Sequence, residues 1–133
     1  MSRIYLAGPM TGIKDFNFPA FKMAAAMLRA EGHEVFSPAE NDDKTYGAGF
    51  NLSDKGKVED IPQFSLHRAA SDDTQFIIWK METIAMMPDW EYSSGAFGEW
   101  AIAKWLRKKF RYISQAELDA FTHKYKALNE VPL

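Results

Sequence analysis

Cysteine is absent from the 133 residues, which removes disulfides, thiolate metal centres and cysteine nucleophiles together. Long apolar runs are missing too. None approaches the ~20 residues that a membrane-spanning helix needs, and the N-terminus lacks the charged-then-apolar pattern of a secretion signal. The expectation is a cytoplasmic protein with no membrane partner. Neither sign of charge is in large excess. The formal net charge of −2 provides no basic surplus of the kind that binds phosphate backbones, so nucleic-acid polymers are not expected partners. One basic cluster exists, Arg107-Lys108-Lys109 followed by Arg111. It falls at the end of an expected helix, where cations also favour the macrodipole. The three histidines, His33, His67 and His123, form no HxxxH or HxH pair, so their spacing recommends no metal site, and no cofactor is expected. No GxSxG elbow suggests a serine nucleophile.

What is present describes a packed globule. Hydrophobic residues make up 47%, with ten Phe, five Tyr and four Trp. A chain of this length forms a core without cross-links, as one domain over residues 1–133. Arg3-Ile4-Tyr5-Leu6-Ala7 is short, apolar and followed by Gly8-Pro9-Met10-Thr11-Gly12, a buried strand ending in a glycine-rich loop. Asn17 can cap a helix with Pro19 in its first turn and Gly32 as its stop. Residues 34–36 form a second strand. Residues 39–60 are polar and suit a lid, a binding loop or a mobile insert. A second helix follows over 62 to about 80, then strand Thr83–Met87 stopped by Pro88. A third helix runs from Ser94 to about Lys109, and a strand spans 110–113. Ser114 and Glu117 make a capping box for a C-terminal helix. Apolar, non-alternating strands alternating with helices imply an α/β fold. The expected form is a three-layer flavodoxin- or Rossmann-like parallel sheet of four to five strands with helices on both faces. Ligands of such sheets bind at the carboxyl ends of the strands, so loops 8–12 and 88–95 are the expected walls of a site.

The stretch Met87–Glu99, M-P-D-W-E-Y-S-S-G-A-F-G-E, is where chemistry is expected. At the start of the third helix, free amides with the hydroxyls of Ser93 and Ser94 and the open backbone of Gly95 make a cradle for a phosphate or carboxylate. One serine serving only as N-cap is the plainer alternative. Glu99 is out of register for a capping box, and a helical side chain there leans back toward the crevice. Its plainer alternative is an exposed residue on a solvated face. Gly98 is costly inside a helix and suggests a close approach by something else. Trp79, Trp100 and Trp105 read as packing, while Trp90, beyond a strand end, is the candidate to stack on a base. Met10, Met86 and Met87 read as core or pocket lining. A glutamate beside an anion cradle, with a tyrosine reaching from the first strand, suits N-glycosidic bond cleavage. There a carboxylate stabilises an oxocarbenium-like state or attacks it covalently.

Ile4-Tyr5-Leu6-Ala7-Gly8-Pro9, together with Ser93-Ser94-Gly95-Ala96-Phe97-Gly98-Glu99-Trp100-Ala101, resembles the nucleoside 2-deoxyribosyltransferase superfamily. The likeness is strongest to small bacterial and phage members, and the 2′-deoxynucleoside 5′-phosphate N-hydrolases are relatives. It covers residues 3 to about 113. The resemblance implies that Glu99 is the catalytic glutamate and Tyr5 the residue that orients it. Asp73, 26 residues before Glu99, would handle the base, with Asp72 as the alternative. Gly8, Pro9, Met10 and Thr11 would line the substrate. Ser93 stands where the transferases carry an aspartate and the nucleotide hydrolases a serine, which favours a nucleotide, since a carboxylate would repel a phosphate. The chain departs from the pattern at Glu82, at Asp89 and in the Pro9-Met10 turn. The implied partner is a small nucleoside or nucleotide and the implied assembly a homodimer or higher homo-oligomer. A non-catalytic binder or sensor of an ADP-ribose-like nucleotide is the rival reading. An interaction module using the Trp- and Met-rich surface is a third.

Overall fold

Four strands supply the spine of the computed structural model, which describes residues 2–129. They are β1 (Arg3–Ala7), β2 (Glu34–Phe36), β3 (Thr83–Met86) and β4 (Lys109–Tyr112), in the order β2-β1-β3-β4 and parallel throughout. Parallel neighbours need crossovers, which α1 (Phe18–Ala30), α2 (Pro38–Tyr46), α3 (Leu66–Trp79) and α4 (Ser94–Trp105) provide, and α5 (Gln115–Asn129) follows the last strand. Alternation along β1 sorts the two faces. Ile4 and Leu6 join the core made by Phe21, Ala24 and Leu28 of α1 and Leu118 of α5. Tyr5 and Ala7 face the opposite layer, with Ile77 of α3 and Ala96 and Ala103 of α4. The expected three-layer α/β architecture is therefore observed, with four strands. No helix among the described residues is long and apolar enough to cross a membrane.

The second strand pairs with β1 in the register Tyr5 to Phe36, and β3 pairs on the other side as Tyr5 to Ile84. Tyr5 is thus central, fully buried, and stacked on Phe36 at 5.5 Å between ring centroids. Gly8 ends β1 because a Cβ there would come within 2.7 Å of the Met87 Cβ. The loop after β1 consequently lies flat against the end of β3.

Several boundaries differ from the sequence reading. The polar stretch after residue 38 begins with helix α2, led by Pro38 in its first turn. The rest of that stretch is clasped to the loop before α1. Gly12 N donates to Gly56 O at 2.9 Å, Asp15 N to Ser53 O at 2.7 Å, and Ser53 N to Asp15 Oδ1 at 2.9 Å. Asp15, Phe16 and Asn17 are all left-handed. Asn17 holds the expected N-cap position of α1 without a capping hydrogen bond, and its side chain instead donates to Pro9 O at 3.0 Å. The expected lid or mobile insert is therefore a helix followed by a pinned loop. The second long helix starts at Leu66 rather than 62, capped by Ser65 Oγ, which accepts from Arg68 N at 3.2 Å. Helix α4 stops at Trp105, so Arg107, Lys108 and Lys109 lie on a turn and on β4. Lys108 Nζ donates to Ile78 O and Met81 O at the end of α3, and Arg111 pairs with Glu31 and Glu117. The Ser114–Glu117 capping box is present, with Ser114 N to Glu117 Oε2 at 2.9 Å and Glu117 N to Ser114 Oγ at 3.1 Å.

Candidate active site

A cavity of about 720 Å³ opens at the carboxyl ends of β1 and β3, the position that parallel sheets favour for ligands. Three of its components have separate origins. Gly8, Met10 and Thr11 come from the loop after β1, Asp73 and Thr74 from α3, and Ser93, Ser94, Gly95, Gly98 and Glu99 from the start of α4. Phe16, Phe18, Phe50, Ile61 and Phe64 add an apolar wall from the clasped loops.

The Tyr5 hydroxyl donates to Glu99 Oε2. This bond joins residues 94 apart in sequence and ties the central strand to the second turn of α4. It holds the Glu99 carboxyl at the end of the cavity nearest the sheet. Burial, aided by the charge of Asp73 and opposed by the Tyr5 hydrogen bond, pushes Glu99 up to about 8. Burial and the neighbouring Glu99 and Asp73 charges raise the Tyr5 phenol well above its ordinary value. It stays a hydrogen-bond donor at neutral pH.

Asp73 Oδ1 is buried without a hydrogen-bond partner among the described residues. Burial, with the fields of Asp42 and Asp72, raises this carboxyl to about 7. Asp72 does not line the cavity and approaches Arg68 at 3.9 Å. One residue of helix turns the side chain by about 100°, and of the two neighbouring aspartates only Asp73 faces the chamber.

Ser93 is the N-cap of α4, its Oγ accepting from Ala96 N at 3.2 Å. Ser93 is thus an N-cap, and it also lines the cavity. The amides of Ser94 and Gly95, in the first turn, have no intrahelical partner to receive them. A Cβ on Gly95 or on Gly98 would meet nothing within 4 Å. Nothing packs closely on Gly98, contrary to expectation; its missing side chain leaves room in the cavity instead.

Pro9 and Trp90 do not line the chamber. Trp90 stacks on Trp100 at 5.3 Å and on Phe97 at 6.1 Å, in an aromatic cluster outside the chamber lining. Trp100 packs as expected, half-buried, donating to Tyr112 at 3.1 Å. Trp79 and Trp105 do not, being 79% and 80% exposed. Of the methionines, Met86 and Met87 are buried in the core and Met10 lines the cavity.

Sequence reasoning missed Asp42, which lines the same chamber and is 6% exposed. Burial, with the charges of Asp43 and Asp72, raises it to about 7. Its signal was Pro38, a good first residue for a helix after a strand, which would have set Asp42 on an inward-facing turn. The aromatic wall was missed because Phe50 lies in a segment without periodicity and Phe64 was counted into the second helix, which starts only at Leu66.

No Lys, Arg or His lines the cavity among the described residues, and none of their His, Asp and Glu side chains gather three together in a way that could hold a metal ion. The floor is thus acidic, low in charge at neutral pH and bounded by phenyl rings. A second cavity of about 570 Å³, between α1, α5 and residues 49–52, holds none of the residues singled out from the sequence. No curated protein and no solved structure matches the chain. Residues 2–112 match the family described as Domain of unknown function (DUF4406), and the chain is a member of that family.

Proposed function

We propose that this protein cleaves the N-glycosidic bond of a 2′-deoxynucleoside or its 5′-phosphate, passing the sugar to water or to a second base. The observation that carries this reading is the Tyr5–Glu99 hydrogen bond at the inner end of a cavity that also receives Asp73. The likeness of the strand-1 and helix-start motifs to nucleoside 2-deoxyribosyltransferases supports the same reading. In the reaction, the bond between C1′ and the base nitrogen breaks and its electron pair leaves with the base. Asp73 gives its proton to that base. Glu99, as carboxylate, bonds to C1′ or lies against it while positive charge develops there. Water or a second base then displaces Glu99, and the proton released returns to Asp73. The Tyr5 hydroxyl holds Glu99 in line and stabilises its ionised form.

The sugar's 5′ end would lie toward Ser93, Ser94 and Gly95, where free amides and the positive end of the α4 dipole favour oxygen ligands. A planar base would lie against the phenyl wall. The exposed Trp79 and Trp105 fit the expected homodimer or higher homo-oligomer, which sedimentation would measure. The decisive experiment incubates the protein with each deoxynucleoside and deoxynucleoside monophosphate and follows free base by chromatography. Wild type releases base and Glu99→Ala does not. Equal release by both would end the assignment of Glu99.

A non-catalytic reading draws on one observation: Glu99 holds its proton to about 8, so much of the protein at neutral pH lacks the carboxylate. Thermal stabilisation by a nucleoside or nucleotide with no product formed would favour binding alone.

A further inference from the structure

Asp42 is the one acid of the cavity that the reaction above leaves without a task. It is 6% exposed, on α2, and lines the same chamber as Asp73, which α3 carries. Its neighbours along α2 have partners: Glu40 takes Arg29 at 2.6 Å and Asp43 takes Lys22 at 3.7 Å. Among the described residues no hydrogen bond or ion pair reaches the Asp42 carboxyl. Leaving a buried acid unpartnered costs stability, and such costs concentrate at functional sites.

The groups around Asp73 define what Asp42 does there. On its own helix Asp73 has Asp72, whose charge Arg68 partly offsets. From β1 it meets the Tyr5 phenol, from α4 Glu99, and from α2 Asp42. Asp42 in turn feels Asp43 and Asp72. Among the described residues no cation lines the chamber, Asp73 Oδ1 has no hydrogen-bond partner, and the lowering effect of the Tyr5 hydroxyl is outweighed by burial and the neighbouring acids. Two acids sharing such a space cannot both ionise readily, because the first negative charge disfavours the second.

We propose that Asp42 is a positioning residue which, from the same cavity, keeps the proton on Asp73 so that Asp73 can deliver it to the departing base. This rests on the N-glycosidic reading above. The proton moves from the Asp73 oxygen to a base nitrogen as the C1′–N electron pair leaves with the base, and Asp73 is left as the carboxylate. Asp42 touches no reacting atom. It sets the protonation state in which Asp73 starts each turnover.

The test uses the full chain with carbon-13-labelled aspartate. Carboxyl titrations are followed by NMR in wild type, Asp42→Asn and Asp42→Ala, the Asp73 resonance being assigned by its loss in Asp73→Asn. Both Asp42 variants remove an unpartnered buried acid, so folding is not the obstacle, and two replacements guard against a local distortion by either. The expected result is that Asp73 titrates at least about one pH unit lower in both variants than in wild type. The acid-side inflection of base release, set by Asp73 because its value lies below that of Glu99, moves down by the same amount and the maximum falls, which a merely structural role would not produce. An Asp73 titration unmoved by both replacements overturns the proposal, whatever the turnover. Base release absent from wild type, with the titration shift present, overturns the reaction instead and leaves the coupling of the two acids standing.

Discussion

Replacing Asp73 by asparagine should stabilise the protein, and only at alkaline pH. The folded carboxyl is raised from 3.8 to about 7, chiefly by burial. Between those values the native state binds more protons than the unfolded chain, so stability falls as pH rises through the window. Above pH ~7 the full penalty is present; below pH ~4 none of it is. At about 1.4 kcal/mol per unit, a three-unit shift sets a ceiling of about 4 kcal/mol. Water at the cavity mouth and the coupled proton on Asp42 reduce this to about 1–2 kcal/mol. Asparagine has nearly the same shape, carries no charge and can donate a hydrogen bond.

Urea unfolding at pH ~5 and pH ~8.5 measures the effect. Wild type should be less stable at the higher pH, since Asp42 and Glu99 are raised in the same direction. Asp73→Asn should gain about 1–2 kcal/mol on wild type at pH ~8.5 and much less at pH ~5. Glu117, lowered to about 2 chiefly by its hydrogen bond with Arg111, contributes stability with the opposite sign. That contribution is complete above the ordinary glutamate value and is lost as pH falls through about 2, outside the measured range. A gain equal at both values, or absent at the higher one, would refute the claim that Asp73 is a buried acid held neutral by its surroundings.

Three further outcomes follow from the same geometry. Base release should show a bell-shaped pH profile with limbs set by Asp73 at about 7 and Glu99 at about 8. Because the productive form holds its proton on Asp73, the group of lower proton affinity, while Glu99 is ionised, it is a minority, on the order of a twentieth of the free protein at the optimum, and a plateau from pH ~6 to ~9 would contradict it. Gly56→Ala should cost about 2 kcal/mol or more, since Gly56 is left-handed and a Cβ would come within 2.1 Å of Ile13 O; thermal unfolding checks it, and an unchanged midpoint would show that the clasp is not required. Trp79→Ser and Trp105→Ser should each change monomer stability by less than about 0.5 kcal/mol, measured by urea unfolding at a concentration where sedimentation gives one species, because each side chain lies about four-fifths in solvent.

The centre of the sheet was legible because β1 and β3 are apolar runs buried on both faces, Ile4 to Ala7 and Thr83 to Met86, while the edge strands β2 and β4 are short and partly exposed. The pairing of Tyr5 with Glu99 was legible through motif resemblance; local pattern alone does not join residues 94 apart. Helix α2 was not legible as an amphipathic pattern. Its buried residues are Pro38, Ala39 and Asp42, so the inward face carries an acid where periodicity looks for leucine. Trp79 and Trp105 fail for another reason. Each ends its helix, and periodicity does not reveal that the layer beneath has run out there. Choosing Asp73 over Asp72 needed the direction of α3 relative to the sheet, which no stretch of sequence fixes by itself.

The electrostatics of the cavity narrow what it can accept. Asp42, Asp73 and Glu99 line it, no cation offsets them, and all three are raised toward or past neutrality. Near pH 7 the chamber is therefore only partly ionised, and the proposed reaction needs the proton kept on Asp73 and a negative charge on Glu99. That charge lies where an oxocarbenium-like sugar would carry its positive charge, so attraction grows as the bond to the base breaks, which is the condition for lowering a barrier without merely tightening binding. The same arrangement disfavours ligands that arrive with several negative charges. Two free amides and a helix dipole at Ser94 and Gly95 suit one phosphate at most; a chain of phosphates would extend along walls that offer no arginine or lysine to neutralise it. The acids that make sugar chemistry plausible thus also argue for a nucleoside or a monophosphate over any polyphosphorylated relative.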